Sequence, residues 1–329
     1  MRGIKFLIYI TICLSVFCAK AQQLTVNTLG LKAPILKNCT PIKDQAMSGT
    51  CWSFTSISFL ESEFLKNTGK QIDLSEIFIA RYSYIRKIEK HLQQKGKNYF
   101  TPGGQFHDVI WVLNNYGVLP EANYTGKANG EAWHDHALLD TTFAHFVANL
   151  LQQKIYTLRK KDYLFIDSVL DKNLGKIPTQ FEYDDKTFTP KSFLKDYLKL
   201  NTNNFVEITS YTHHPFYTKF ILEDKYNWTS DAYYNVPITD IFTITKNALQ
   251  KGYTVGWDGD VDDPTFLYEI GLAYLPNPIR DYQKERQRTF IDTTTDIDHL
   301  MHIVALTKDK NGNDWFYVKN SWKSIAKTK

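Results

Sequence analysis

The sequence predicts an α+β protein of two lobes, helical towards the N-terminus and antiparallel β towards the C-terminus. Helix-spaced apolar residues run from 51 to 68. Strand-like segments stand at 253–257, 302–306 and 315–319. The turn-rich stretch 307–314, with Asn311-Gly312, joins the last two as a hairpin.

Taken in order, Trp52, Phe54, Ile57, Phe59, Leu60, Phe64 and Leu65 give a buried helix that Gly69 stops. Asp73-Leu74-Ser75-Glu76 turns into a second helix whose acidic first turn suits the helix dipole. Thr101-Pro102-Gly103-Gly104 is a turn before a helix over 105–116, ended by Gly117. Residues 130–235 carry many helix formers and the least readable pattern. A further helix is predicted over 239–251, closed by Gly252. No repeat, low-complexity tract or Pro/Gly/Ser-rich linker divides the chain.

Residues 1–21 read as a secretory signal peptide. Arg2 and Lys5 precede an apolar run from Phe6 to Phe17, and Ala19-Lys20-Ala21 is an A-x-A cleavage site. The run is too short for a mature membrane helix, so a secreted or periplasmic protein with no membrane attachment after cleavage is expected. An N-terminal anchor and a lipoprotein at Cys18 are the alternatives, and bulky Phe17 argues against the second. Most of the +4 formal charge leaves with this leader, so nothing points to nucleic acid. Cys39 and Cys51 remain after cleavage. A disulfide between them would consume the reactive candidate, so both read as free thiols. Forty-one Phe and Tyr residues with seven Trp fit a packed globular protein rather than a disordered chain.

The reactive candidate is Cys51, at the predicted first turn of a helix. A helix N-terminus favours a thiolate. Gln45, six residues upstream, offers a side-chain amide that, with the Cys51 N–H, makes an oxyanion hole. Gly49 is read as the residue that lets the chain turn tightly before the helix. The cysteine needs an imidazole and a group to orient it. The predicted hairpin places Asn320 beside His299 within a residue or two of register. The Asn carbonyl would hold one ring nitrogen and leave the other for the thiol, with Trp322 shielding the bond.

Gln45-x5-Cys51-Trp52, then Leu74-Ser75-Glu76, Gly103-Gly104, Asp298-His299 and Asn320-Ser321-Trp322, in that order, resembles the papain-like cysteine peptidases. The resemblance implies a papain-like two-lobe α+β fold. It makes Cys51 the nucleophile, His299 the base, Asn320 the orienting residue and Gln45 the oxyanion amide, with Gly103 and Gly104 pairing with the substrate backbone. Peptides are the implied substrates, and no metal or organic cofactor is implied. Ser48 stands where the family usually has a cysteine. The interval from Cys51 to His299 is well beyond the roughly 130–150 residues of a minimal member, so about a hundred residues are inserted. Ser48-Gly49-x-Cys51-Trp52 with such an insertion is similar to the bleomycin hydrolase and aminopeptidase C branch. Gly103 to Phe106, Tyr116 to Pro120, Thr189 to Phe193 and Thr212 to Phe216 add to that likeness, especially to its secreted bacterial members. Members of the branch are typically aminopeptidases. In the intracellular ones a C-terminal arm in the cleft limits cleavage to the N-terminus, and cytosolic members form hexamers, which leaves a homo-oligomer open here.

The expected organisation is a helical lobe over about 22–125, a large, mainly helical insertion over about 126–235, and a β lobe over about 236–329. The family continues Asn-Ser-Trp-Gly and further; here Lys323 follows Trp322, so the β lobe is expected to be incomplete. An inactive peptide-binding homologue, or an endopeptidase without the arm, are therefore the alternatives to an aminopeptidase. His302 is the rival base, read instead as a strand residue. His213-His214 is read as structural, because neighbours on a strand face opposite ways. Asp258, Asp260, Asp262 and Asp263 lack the spacing of a calcium loop and are read as a solvated turn.

Overall fold

The computed structural model describes residues 25–275 and 279–322, and the expected signal peptide lies outside them. After a short α1 (Val26–Leu29), α2 (Cys51–Thr68) is the central helix. It is apolar on more than one face, as a helix enclosed on all sides should be: Trp52, Phe54, Ile57, Leu60 and Phe64 are all buried. Gly69 ends it in the left-handed conformation (φ 71°), its N–H returning to the Leu65 carbonyl. In α3 (Glu76–Gln93) the Ser75 hydroxyl caps the Phe78 N–H at 3.2 Å. In α4 (Phe106–Tyr116) buried Asp108 accepts the Gln105 N–H and pairs with Arg86.

The first part of the insertion is helical. α5 (Ala137–Gln152) and α6 (Lys160–Leu174) place Phe143, Val147, Ile166 and Leu170 in the same core as α2 and α3. A hairpin of β1 (Phe181–Tyr183) and β2 (Lys186–Phe188) follows, turning through Asp184 and Asp185, both at positive φ. After α7 (Pro190–Ser192) and a π-helical turn over Phe193–Leu198, the chain forms a small mixed sheet. In it β5 (Ala232–Asn235) lies between β3 (Ile208–Thr209), parallel, and β4 (Lys219–Ile221), antiparallel. That sheet has its own apolar cluster of Tyr211, Phe220, Leu222 and Tyr233.

α8 (Ile238–Gln250) leads into β6 (Val255–Gly259); a short hairpin of β7 (Phe266–Leu267) and β8 (Leu272–Ala273) and then α9 (Tyr282–Ile291) come next. β9 (His299–Lys308) and β10 (Asp314–Lys319) form the predicted hairpin, and the sheet order is β10-β9-β6, all antiparallel. A bulge between Tyr317 and Val318 shifts the register so that Lys319 faces His302. β9 starts at His299, three residues earlier than its pattern suggested, because β6 pairs with it back to Gly259. The sheet is tied to α2 by side-chain bonds: Thr55 Oγ1 to the Leu300 carbonyl at 2.7 Å, Ser58 Oγ to His302 Nδ1 at 2.8 Å and Lys319 Nζ to Ser58 Oγ at 2.7 Å. No helix among the described residues is long and apolar enough to cross a membrane.

Candidate active site

Cys51 is the first residue of α2, so its N–H has no partner within the helix. Trp52 ties the segment 102–104 to this helix end: its indole N–H donates to the Pro102 carbonyl at 3.1 Å. A Cβ on Gly104 would stand 2.9 Å from the Trp52 ring, and one on Gly49 would stand 2.7 Å from Pro102. Gly49 lies in the bend just before the helix without a positive φ, and its lack of a side chain is required for this close approach. The positive φ falls on Ala46 (47°), between Gln45 and the helix, with its N–H held by Asp44 at 2.9 Å.

Burial pushes the Cys51 thiol up to about 12; backbone hydrogen bonding from Leu300 and Trp52 opposes this, and Asp258 and Asp298 add to it. Leu300, whose backbone acts on the thiol, directly follows His299 on β9. Both thiols are free, as expected.

His299 is buried, and its Nε2 lies 2.8 Å from Asn320 Oδ1. Extrapolated register would put Asn320 opposite Met301, so the bond runs diagonally across the hairpin. That bond spends Nε2 and leaves Nδ1 free. Trp322 covers the pair, its ring 4.5 Å from the imidazole and tilted by 30°. Burial lowers the His299 pKa, and the Asn320 bond partly offsets it.

Gln45 joins the same network. Asn320 Oδ1 also accepts the Ser321 N–H at 2.7 Å, Ser321 Oγ donates to Gln45 Oε1 at 2.5 Å, and the Gln45 N–H donates to the Ser321 carbonyl at 2.9 Å. Gln45 Nε2 donates one hydrogen to the Ser48 carbonyl at 2.8 Å. These bonds fix which way the amide faces and leave its second N–H available. Gly103 is more enclosed: its carbonyl accepts from Lys87 Nζ, and a Cβ there would stand 2.6 Å from the Tyr226 ring.

His302 is a core residue bonded to Ser58, in line with its expected structural role. Asp258 departs from the solvated-turn reading. It lies on β6 opposite Leu300, with Oδ2 accepting from Gln105 Nε2 at 2.9 Å. Its Oδ1 is buried without a hydrogen-bond partner. Burial, together with Asp224, Asp298 and Asp296, holds its carboxyl well above the usual range.

A second group that pattern reading missed is the clamp on the irregular stretch leading to Gln45. Lys43 Nζ lies 2.8 Å from Glu61 Oε1, 2.6 Å from Glu76 Oε1 and 2.9 Å from the Leu74 carbonyl. Glu61 accepts Thr40 Oγ1 and the Leu74 N–H as well. Its signal was a carboxylate in the middle of an otherwise buried helix.

Residues 18–327 match the Peptidase C1-like family. The chain belongs to that family. It is accordingly an enzyme of the cysteine-peptidase class, and the papain-like branch seen in its motifs is upheld. Aminopeptidase G of Lactobacillus delbrueckii subsp. lactis is 26% identical over 324 residues, covering 85% of this chain and 74% of that protein. Aminopeptidase C of Lactococcus lactis subsp. cremoris is 21% identical over 326 residues, covering 86% and 74%. A crystal structure of PepW from Lactobacillus rhamnosis HN001 superposes with a TM-score of 0.60 at 16% identity, over 88% of this chain and 76% of that one. The likeness in fold therefore covers most of the chain.

Proposed function

We propose that the protein is a secreted aminopeptidase in which Cys51, His299 and Asn320 cleave the peptide bond and Gln45 holds the oxyanion. The observation that carries the catalytic part is the continuous bond path from His299 through Asn320 and Ser321 to Gln45. Burial works against charge on both groups, raising the thiol and lowering the imidazole, so the thiolate–imidazolium pair depends on the helix N-terminus and on the Asn320 bond. The Cys51 proton passes to His299 Nδ1 as sulfur attacks the scissile carbonyl. The Cys51 N–H and the free Gln45 N–H receive the developing oxyanion. The imidazolium then protonates the leaving amine. Water, losing its proton to Nδ1, hydrolyses the thioester, and the thiol regains its proton.

Asp258 supports the restriction to N-termini. Its carboxyl has one oxygen without a partner and is favoured in the neutral form by burial, and the α-ammonium of a substrate would supply the counter-charge that its ionised form lacks. Tyr226 packs against Gly103, in the segment that would pair with the substrate backbone. The test compares an aminoacyl-aminocoumarin with its N-acetyl form. Turnover of the free-amine substrate, lost in Cys51→Ala and His299→Ala, supports the peptidase reading; retained turnover in Cys51→Ala rejects it. Asp258→Asn should narrow the preference for the free amine. Equal cleavage of both substrates by the unaltered enzyme would make it an endopeptidase. The secretory reading predicts a mature N-terminus at Gln22, read by N-terminal sequencing of exported protein.

A further inference from the structure

Three ligand-type side chains far along the chain from Cys51 take no part in this chemistry. His213 and His214 lie in a turn after β3, not on a strand, so the alternation expected to part them does not operate. Both imidazoles converge on one carboxylate. His213 Nε2 lies 3.2 Å from Glu223 Oε2 and His214 Nε2 2.7 Å from Oε1, and the three ligand atoms are within 4.8 Å of one another.

The rings are held from behind. His213 stacks on Phe290 of α9 with centroids 5.4 Å apart and an 11° tilt, and His214 stacks on Phe220 of β4 at 4.1 Å and 23°. The turn itself is shaped by fully buried Asn235. Its Nδ2 reaches the carbonyls of Tyr211, His214 and Pro215 at 2.8, 3.0 and 3.1 Å, and its Oδ1 accepts the Tyr211 N–H at 2.9 Å. The Gln287 amide meets His213 Nδ1 with Oε1 at 3.3 Å and Nε2 at 3.0 Å. It can therefore serve the ring with Nδ1 protonated, the tautomer that frees Nε2 for a metal.

We propose that His213, His214 and Glu223 bind a divalent transition metal of the zinc class, with water completing the coordination. Two imidazoles and a carboxylate are a borderline donor set that suits Zn²⁺ and its neighbours. Ca²⁺ and Mg²⁺ need mostly oxygen. The metal would tie the His turn to the segment that continues through Asp224 to Tyr226, whose N–H bonds Asp224 Oδ1 at 2.7 Å and whose ring lies on Gly103. The site is independent of the peptidase reading.

The test titrates chelator-stripped Cys51→Ala protein with ZnCl₂ by calorimetry, the substitution removing a thiol that would compete for the metal. One equivalent should bind. His213→Ala, His214→Ala and Glu223→Gln, each in that background, should weaken binding by about tenfold or more. Zn²⁺ should raise the Tm of the Cys51→Ala chain and leave that of the His214→Ala double variant unmoved. The ligands are at least partly exposed, so folding should survive, and circular dichroism confirms it. No binding, or binding unchanged by all three substitutions, would overturn the proposal.

Discussion

Residues 40–45, which lead to the start of α2, and residues 205–235 are fastened by different chemistry. Residues 40–45 are pinned by charge: Lys43 among Glu61, Glu76 and the Leu74 carbonyl, with Lys319 Nζ donating to the Thr40 carbonyl and to Ser58 Oγ. Residues 205–235 are shaped chiefly by neutral amides, beside charged contacts of Glu207 with His107 and of Lys225 with Asp296. Asn235 gathers the His213-His214 turn, and Asn227 Nδ2 bonds the carbonyls of Leu222 and Asp231 at 3.0 and 2.9 Å. The difference governs what failure costs. A severed ion network leaves a bare charge in the interior, whereas a severed amide hub leaves only unpaired neutral carbonyl and N–H groups.

The largest effect should follow Lys43→Met. Glu61 keeps Thr40 and Leu74, but Glu76 loses its cation while buried. A loss of about 3–5 kcal/mol is expected by denaturant unfolding. Because residue 43 fixes the chain two residues before Gln45, kcat should fall at temperatures where the variant is still folded. A cost under about 1 kcal/mol would mean the network is solvated like a surface pair, and the contrast with the amide segment would lapse.

Asn235→Leu should cost less, about 1–3 kcal/mol, from stranding the Tyr211, His214 and Pro215 carbonyls. Its signature should be regional. Hydrogen exchange should quicken over 208–235 and stay unchanged in α2. Global exchange in both regions would show that the small sheet and the central helix unfold as one unit.

The same contrast explains what the sequence discloses. The bounds of α2 and the meeting of His299 with Asn320 are legible because a helix stop and a tight hairpin are local signals. The bulge at Tyr317/Val318 is not, so the bond falls on a diagonal. Asp258 looks like part of an acidic loop, and only pairing with β9, contributed from forty residues onward, makes it a half-buried strand residue. In 205–235 the strands are two to four residues long, and β3 pairs in parallel with β5 across a distant connection. Strands that short carry no periodicity of their own. Lys43 and Glu61 are joined by tertiary placement alone, and only the oddity of a carboxylate inside an apolar helix hints at it.

The smallest effect is a slope, and it separates two histidines of β9. His299 has a carbonyl to hold its Nε2 and a free Nδ1. His302, three residues on, is fastened from the α2 side. Lys319 donates to Ser58 Oγ, which leaves the Ser58 hydroxyl to donate to His302 Nδ1, while Nε2 is buried without a partner. Burial, aided by Lys319, holds His302 down to about 3, and burial likewise holds His134 and His136 to about 4. In the unfolded chain each binds its proton near 6.5. Below that pH the unfolded state therefore holds more protons, and stability drains away as pH falls from about 6.5 towards 3 to 4, by about 1.4 kcal/mol per pH unit for each group. His302→Gln keeps an acceptor for Ser58 but cannot titrate. Its stability measured between pH 6 and 4.5 should fall less steeply than that of the unaltered protein by about that one-group increment, with the pH profile of kcat/KM unmoved. An unchanged slope would mean that His302 takes up its proton in the folded state, and a shifted kcat/KM profile would make it, rather than His299, the base.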